Sequence, residues 1–215
     1  MSHTVTIIKT RALELADSVD GDFTDVAQVV PWVNEGQREI ALYADPVETS
    51  KTDTIATAST DAIYTASLQS NFWKMKRMEY GSKKMFFVEF DELQSLADAS
   101  KGLGSSEYIY SLWNDEYVIY TSADYSVGDE IKYWYFKWPT DVTLASSTAD
   151  LPTEYADCLF SYVGFKMAQA NRESGLAQRL WEEFKGKLED VRRANRRMRT
   201  GPRKIKTELV DKYAF

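Results

Sequence analysis

The residues of this 215-residue chain that could do chemistry are few and scattered. The one histidine, His3, sits two residues from the start, and the one cysteine, Cys158, lies among Ala156, Leu159 and Phe160. A Ser-His or Cys-His nucleophilic pair needs an ordered imidazole, and a frayed end predicts the opposite. Cys158 reads as a small buried apolar residue on a helix, and a lone cysteine forms no internal disulfide. No Cys/His spacing of a zinc site occurs. Asp20-Gly21-Asp22 has one fragment of a calcium loop without the ligand series, so it reads as a turn. Gly102-Leu103-Gly104 follows a polar stretch and lacks the further Gly or Lys of a phosphate cradle. Among 33 acidic residues a carboxylate pair can be picked anywhere, which identifies no glycosidase. The expectation is therefore no enzyme, with no catalytic residue, metal or cofactor.

Two patterns carry binding chemistry instead. Tyr108, Tyr110, Trp113, Tyr117, Tyr120, Tyr133, Trp134, Tyr135 and Trp138 could form a stacking platform for sugars or bases. Single-strand binders add a basic groove, and this region is acidic, so a sheet core or a subunit interface is the better reading. The other pattern is the basic end: Arg192, Arg193, Arg196, Arg197, Arg199, Arg203, Lys204 and Lys206. Residues 172–206 hold twelve basic and five acidic side chains, in a chain whose net charge is −7. This asymmetry fits nucleic acid at the basic end, protein partners meeting through opposite charges, or a solvated helix face. Beyond Gly201-Pro202, the run Lys204-Ile205-Lys206-Thr207-Glu208-Leu209-Val210 alternates like a strand. It could add to the sheet edge of a neighbouring protein, or be a disordered tail.

The elements that must position these groups follow from hydrophobic spacing. Val5, Ile8, Ala12, Leu15 and Val19 recur at steps of three and four, a helix that Thr4 would cap. A second helix starts near Thr24 and carries Val26, Val29, Val33, Gln37, Ile40 and Ala44. Pro31 either kinks it or marks its true first turn. Residues 49–60 are polar and Thr/Ser-rich. Strands are predicted at 62–68, 72–80 and 83–90, and a short helix at 92–100. A hairpin at 108–113 and 117–122 turns on Asn114-Asp115-Glu116. The strand at 130–138 is apolar on both faces, which predicts a central position. From Pro152 one long helix, or a helix pair broken near Gly175, runs to about Arg197. Its stripe is Tyr155, Leu159, Tyr162, Val163 and Met167, then Leu176, Leu180, Phe184, Leu188 and Val191.

The economical arrangement is α+β. Residues 1–47 and 149–198 form an antiparallel-type helical bundle with a core of Leu15, Val33, Ile40, Leu159, Val163, Leu180, Phe184 and Leu188. Residues 48–148 form an inserted β-rich domain, and 199–215 an extended C-terminal tail. No apolar run approaches the roughly 18–20 residues of a membrane span. Met1-Ser2-His3-Thr4 has no charged-then-apolar signal pattern, which predicts a soluble chain made in a cytoplasm.

Two segments carry a family resemblance. Trp32-Val33-Asn34-Glu35-Gly36-Gln37-Arg38-Glu39-Ile40-Ala41, entered from Phe23-Thr24-Asp25-Val26, is similar to the Asn-Glu/Asp-x-Gln-Arg-Glu-Ile run in the second helix of phage head-to-tail adaptor (connector) proteins. Leu151-Pro152-Thr153-Glu154-Tyr155-Ala156-Asp157 resembles the Leu-Pro-x-Glu/Asp-Tyr start of their next main helix. The β-rich insert suits the subgroup that includes short-tailed phages. The resemblance implies a homo-oligomeric ring, commonly of twelve copies, in the neck of the virion. It would join the portal protein to a tail, stopper or nozzle protein, and genomic DNA would pass through its lumen without specific recognition. It also implies that the C-terminal segment reaches the portal, with Arg199, Arg203, Lys204, Ile205, Lys206, Leu209, Val210, Tyr213 and Phe215 as its docking residues. The rival reading is a nucleic-acid-binding protein that uses the Arg-rich helix, with steeply salt-dependent affinity.

Overall fold

A computed structural model describes residues 3–16, 25–44, 47–55, 63–98, 108–121 and 126–200. The fold is α+β, with five α-helices and two sheets among the described residues. It divides into two compact units, one drawn from residues 1–44 and 142–215, the other from 45–141.

In the first unit, helix α1 (Val5–Leu15) is capped by Thr4, whose side-chain oxygen accepts the Ile7 N–H at 3.4 Å. Its first backbone donors find partners in a segment far along the chain. Val5 N–H donates to the Ser147 carbonyl at 3.0 Å, and Thr6 N–H to that of Ala145 at 3.2 Å. A helix start leaves four N–H groups unpaired, so this segment supplies what the helix cannot. Helix α2 (Val30–Ala44) follows a 3₁₀ turn, Val26–Gln28, which Asp25 caps. Pro31 therefore stands in the first turn, where its missing N–H costs nothing. The expected cap at Thr24 lies outside the described residues.

The long C-terminal helix is two helices, α4 (Ala156–Ala170) and α5 (Ser174–Thr200). The break is not at Gly175, which falls in the first turn of α5. It is at Arg172, whose φ is +62°. Arg172 N–H donates to Gln169 and Glu173 N–H to Ala168, closing the paired bonds of a Schellman cap with arginine in glycine's usual place. Helix α4 is buried on nearly all sides, against α1, α2 and α5. Val33, Ile40, Leu159, Val163, Leu180, Phe184 and Leu188 are buried in this core, and Leu15 packs against it half-buried.

In the second unit, strands β1 (Glu48–Thr54), β2 (Ile63–Ser67), β3 (Phe72–Tyr80), β4 (Lys83–Lys84), β5 (Phe86–Phe87), β6 (Tyr108–Trp113), β7 (Glu116–Thr121) and β8 (Glu130–Lys137) form two four-stranded sheets. Their orders are β1-β8-β3-β4 and β2-β7-β6-β5, antiparallel except for β5 beside β6. Strand β8 is central in its sheet, which its two apolar faces required. Two expectations are corrected. The polar stretch at 49–54 is a strand, β1, paired with β8 from Glu48↔Phe136 to Thr54↔Glu130. Its threonines suit an edge with one wet face. The run 83–90 is not one strand, because the chain leaves the first sheet at buried Met85, joins the second at Phe86, and turns into helix α3 (Phe90–Asp98).

Alternate residues of the second sheet serve different cores. Tyr108, Tyr110, Tyr117 and Ile119 join Met78, Ile131, Tyr133 and Tyr135 of the first sheet. Ile109, Val118 and Tyr120 face Leu93 and Leu96 of α3. The β6–β7 hairpin turns on Asn114 and Asp115, both at positive φ, as a two-residue type I′ loop demands.

Candidate assembly surfaces

His3 is held rather than frayed. Its ring meets Phe160 edge-on at 5.4 Å, and its carbonyl accepts the Ala149 N–H. It lines an open cleft of about 800 Å³ with Ile7, Arg11, Asp157, Phe160 and Lys187. Cys158 is fully buried, and burial pushes its thiol up to about 11. The thiolate that nucleophilic chemistry needs is thus disfavoured at neutral pH. Among the described residues, no group of three or more His, Cys, Asp or Glu side chains is placed to hold a metal ion. No described helix is long and apolar enough to cross a membrane.

The segment Asn34–Gln37 acts as a clasp. Asn34 Nδ2 donates to the Val142 carbonyl at 3.0 Å, while Asn34 Oδ1 accepts the Val142 N–H at 2.8 Å. Gln37 is fully buried and accepts the Asp150 N–H at 2.6 Å. Together they pin the strap of residues 142–150, whose other side is held by the start of α1. Glu35 pairs with Lys166 of α4 at 2.7 Å. Burial raises the Glu35 carboxyl, but hydrogen bonds from Lys166 and Tyr162 and the Lys166 charge outweigh it, leaving it below the usual range. A side chain on Gly36 would place a Cβ 2.7 Å from Leu159 Cδ1 and 2.8 Å from Tyr162 Cδ1, so α2 and α4 approach where only glycine fits. Each residue of the motif thus does a separate structural job. The second motif does likewise: Pro152 starts the 3₁₀ turn Thr153–Tyr155, its carbonyl accepting the Tyr155 N–H at 3.0 Å, and Tyr155 is fully buried in the core.

The basic end of α5 is partly neutralised within the chain. Glu189 pairs with Arg192 at 3.6 Å and Arg193 at 3.1 Å, and accepts the Tyr43 hydroxyl at 2.7 Å. The Arg192 guanidinium lies 4.6 Å from the Tyr43 ring centre. These contacts, led by the Tyr43 hydrogen bond, hold the Glu189 carboxyl below its ordinary value. The helix runs to Thr200, so the backbone at Arg199 is helical. Arg203, Lys204, Ile205, Lys206, Leu209, Val210, Tyr213 and Phe215 lie outside the described residues.

The aromatic residues divide. Tyr108, Tyr110, Tyr117, Tyr120, Tyr133 and Tyr135 are buried, with Tyr117 donating to Asp53 at 3.0 Å and Tyr135 to Asn71 at 3.2 Å. Trp134 is half-buried under the Arg77 guanidinium at 3.8 Å, and Trp138 packs against Trp73 with the rings tilted by 48°. Trp113 is 57% exposed and stacks on Phe90 at 4.7 Å. Phe86 and Phe87, 57% and 51% exposed, stand on the outer strand β5. Sequence reasoning missed this pair as a surface feature. The signal was present, since consecutive aromatics on a strand point to opposite faces and cannot both enter one core.

No curated protein matches the chain. The family model described as SU10 adaptor protein matches residues 4–206, a span that holds both motif segments and the whole β-rich region. The chain therefore belongs to the SU10 adaptor protein family, a family of phage head-to-tail adaptors.

Proposed function

We propose that this adaptor is a non-enzymatic ring subunit. The helical unit is a bundle interrupted by the β-rich domain, and identical copies, twelve in the commonest arrangement, meet head to tail until the ring closes. The ring joins the portal of the phage head to a tail, stopper or nozzle protein and lets the genome pass. The observation that carries this reading is the family match across residues 4–206. The overall charge of −7 supports it, because a lumen that repels phosphate does not retain DNA. The rival DNA-binding reading loses ground at Arg192 and Arg193, whose charges are engaged by Glu189.

Quantitative mass spectrometry of purified virions tests the proposal. The expected result is a copy number equal to that of the portal protein. Absence from virions, or a copy number unrelated to the portal ring, would overturn it.

A further inference from the structure

The two sheets of the β-rich unit treat their edges differently. The first sheet ends in β1 and β4, the second in β2 and β5. Charge crowds the first pair. Strand β1 holds Glu48, Lys51 and Asp53, and β4 is Lys83 with Lys84. Lys51 and Asp53 pair with each other at 2.6 Å, and Asp53 accepts the Tyr117 hydroxyl of the facing sheet. Edge lysines and inward-turned charges are guards against strand addition. The second pair has no charge of its own: β2 reads Ile63-Tyr64-Thr65-Ala66-Ser67, and β5 reads Phe86-Phe87. Lys84 reaches over the Phe86 ring at 5.7 Å, yet Ile63, Phe86 and Phe87 all stay exposed. No described strand pairs with the outer edge of either β2 or β5.

An uncharged open edge is a template for another strand. We propose that β5 of one copy pairs with β2 of the next, continuing the second sheet from copy to copy. The two edges differ, so the contact runs head to tail, as a closed ring requires. The side chains fall on matching faces. Phe86 lies on the α3 side beside Ile109, and Ile63 and Thr65 share that side with Tyr120 and Val118. Phe87 lies on the sandwich side beside Tyr110, and Tyr64 and Ala66 share that side with Ile119 and Tyr117. A continued sheet sets Phe86 against Ile63 or Thr65, and Phe87 against Tyr64 or Ala66. Strands β2, β6 and β5 run the same way, so copies related by a small rotation pair β5 with β2 in parallel. The first sheet agrees in charge. Asp53 of β1 bonds to Tyr117 of β7, and Lys83 of β4 donates to Tyr108 of β6 at 2.8 Å. Strand β1 therefore lies on the β2 side and β4 on the β5 side. The lysines of β4 then face the next copy's β1, where exposed Glu48 is held by Lys76 of its own sheet at 2.5 Å and can share a second cation. This inference rests on the ring reading.

The test uses virions whose adaptor carries Thr65→Cys with Phe86→Cys in one chain, and a second set with Ile63→Cys and Phe86→Cys for the neighbouring register. Native Cys158 is fully buried and takes no part. Within one copy β2 and β5 stand three strand spacings apart, about 14 Å. A disulfide spans at most about 7 Å between Cα atoms, so any bond joins two copies. Oxidation should give a ladder of covalent multimers on a non-reducing gel. The unsubstituted protein supplies a second readout. Phe86 and Phe87 should lose hydroxyl-radical reactivity in virions relative to the dilute, monomeric chain. Three results overturn the proposal: no multimers from either pair, dimers from Phe86→Cys or Thr65→Cys alone, or full reactivity of both phenylalanines in virions. Each leaves the ring reading standing, since the virion copy number tests that separately.

Discussion

Replacing Asn34 by alanine isolates what the clasp contributes. The substitution removes the two bonds to the Val142 backbone, at 3.0 and 2.8 Å, and a longer one from Gln37 Nε2 at 3.4 Å, without enlarging any side chain. It leaves one N–H and one carbonyl, both partly buried, without those partners. Each such group costs roughly 1–3 kcal/mol when unpaired. Water can reach a partly buried site, so the lower half of that range applies, and the sum is about 2–4 kcal/mol. For a chain of this size that lowers the midpoint of thermal unfolding by roughly 4–16 °C. Urea denaturation followed by circular dichroism measures the loss. Amide hydrogen exchange locates it, and the amides of Val142 and Asp150 should open first. Asn34→Asp sharpens the reading. Its carboxylate still accepts from the Val142 N–H but turns an oxygen toward the Val142 carbonyl. Its deficit should shrink as the pH falls below about 4, where the carboxyl regains a proton to donate. A loss for Asn34→Ala below 0.5 kcal/mol, with protection at Val142 unchanged, would refute the clasp.

Other outcomes can be checked with the same preparations. Gly36→Ala should cost about 1–3 kcal/mol, because the new Cβ lands 2.7 Å from Leu159 Cδ1 inside a packed core; urea unfolding reads it. Arg172→Gly should stabilise by about 0.5–1 kcal/mol, since glycine takes the left-handed cap without steric cost and offsets its added chain entropy. The Cys158 thiol, raised to about 11 by burial, should stay unreactive to a thiol reagent at pH 8 and react stoichiometrically on unfolding. The raised value also means that this site favours folding below the unfolded thiol's pKa of about 8.5 and loses that contribution at higher pH. Glu35 runs the other way. Its folded pKa is depressed, so its pairing with Lys166 supports the fold above about pH 4.3 and is lost as pH drops through the folded value. Glu35→Gln should therefore differ from the parent by about 0.5–1 kcal/mol at pH 7 and converge with it near pH 3.

Periodicity made the helices legible, because the stripes through Val5, Val33, Leu159 and Leu180 are long enough to be unambiguous. The hairpin was legible from Asn114-Asp115, where side chains tolerate positive φ. The misses have common physical causes. Strand β1 was hidden because an edge strand with one solvated face needs no apolar residues, and threonine satisfies it. The α4–α5 break falls within the expected Asn171–Gly175 stretch, but at Arg172 and not at the glycine, because glycine marks only permission to turn. Here the hydrogen bonds at Ala168 and Gln169 imposed the turn on an arginine instead. The jobs of Asn34 and Gln37 could not be seen, since their partners at Val142 and Asp150 stand more than a hundred positions away. The run 83–90 was legible as strand-forming, but not which of its aromatics stay exposed, because that depends on where the chain changes sheets at Met85.

That separation has a consequence for synthesis. The strap supplies the partners of Asn34 and the first donors of α1, and it leaves the ribosome 108 residues after Asn34. At about 5–20 residues per second, the two N-terminal helices wait roughly 5–20 seconds with their apolar stripes uncovered. The β-rich unit, whose pairings close within residues 48–137, can complete first. Folding of this adaptor should then begin in its middle, with the first helices seated last, when α4 emerges to receive them.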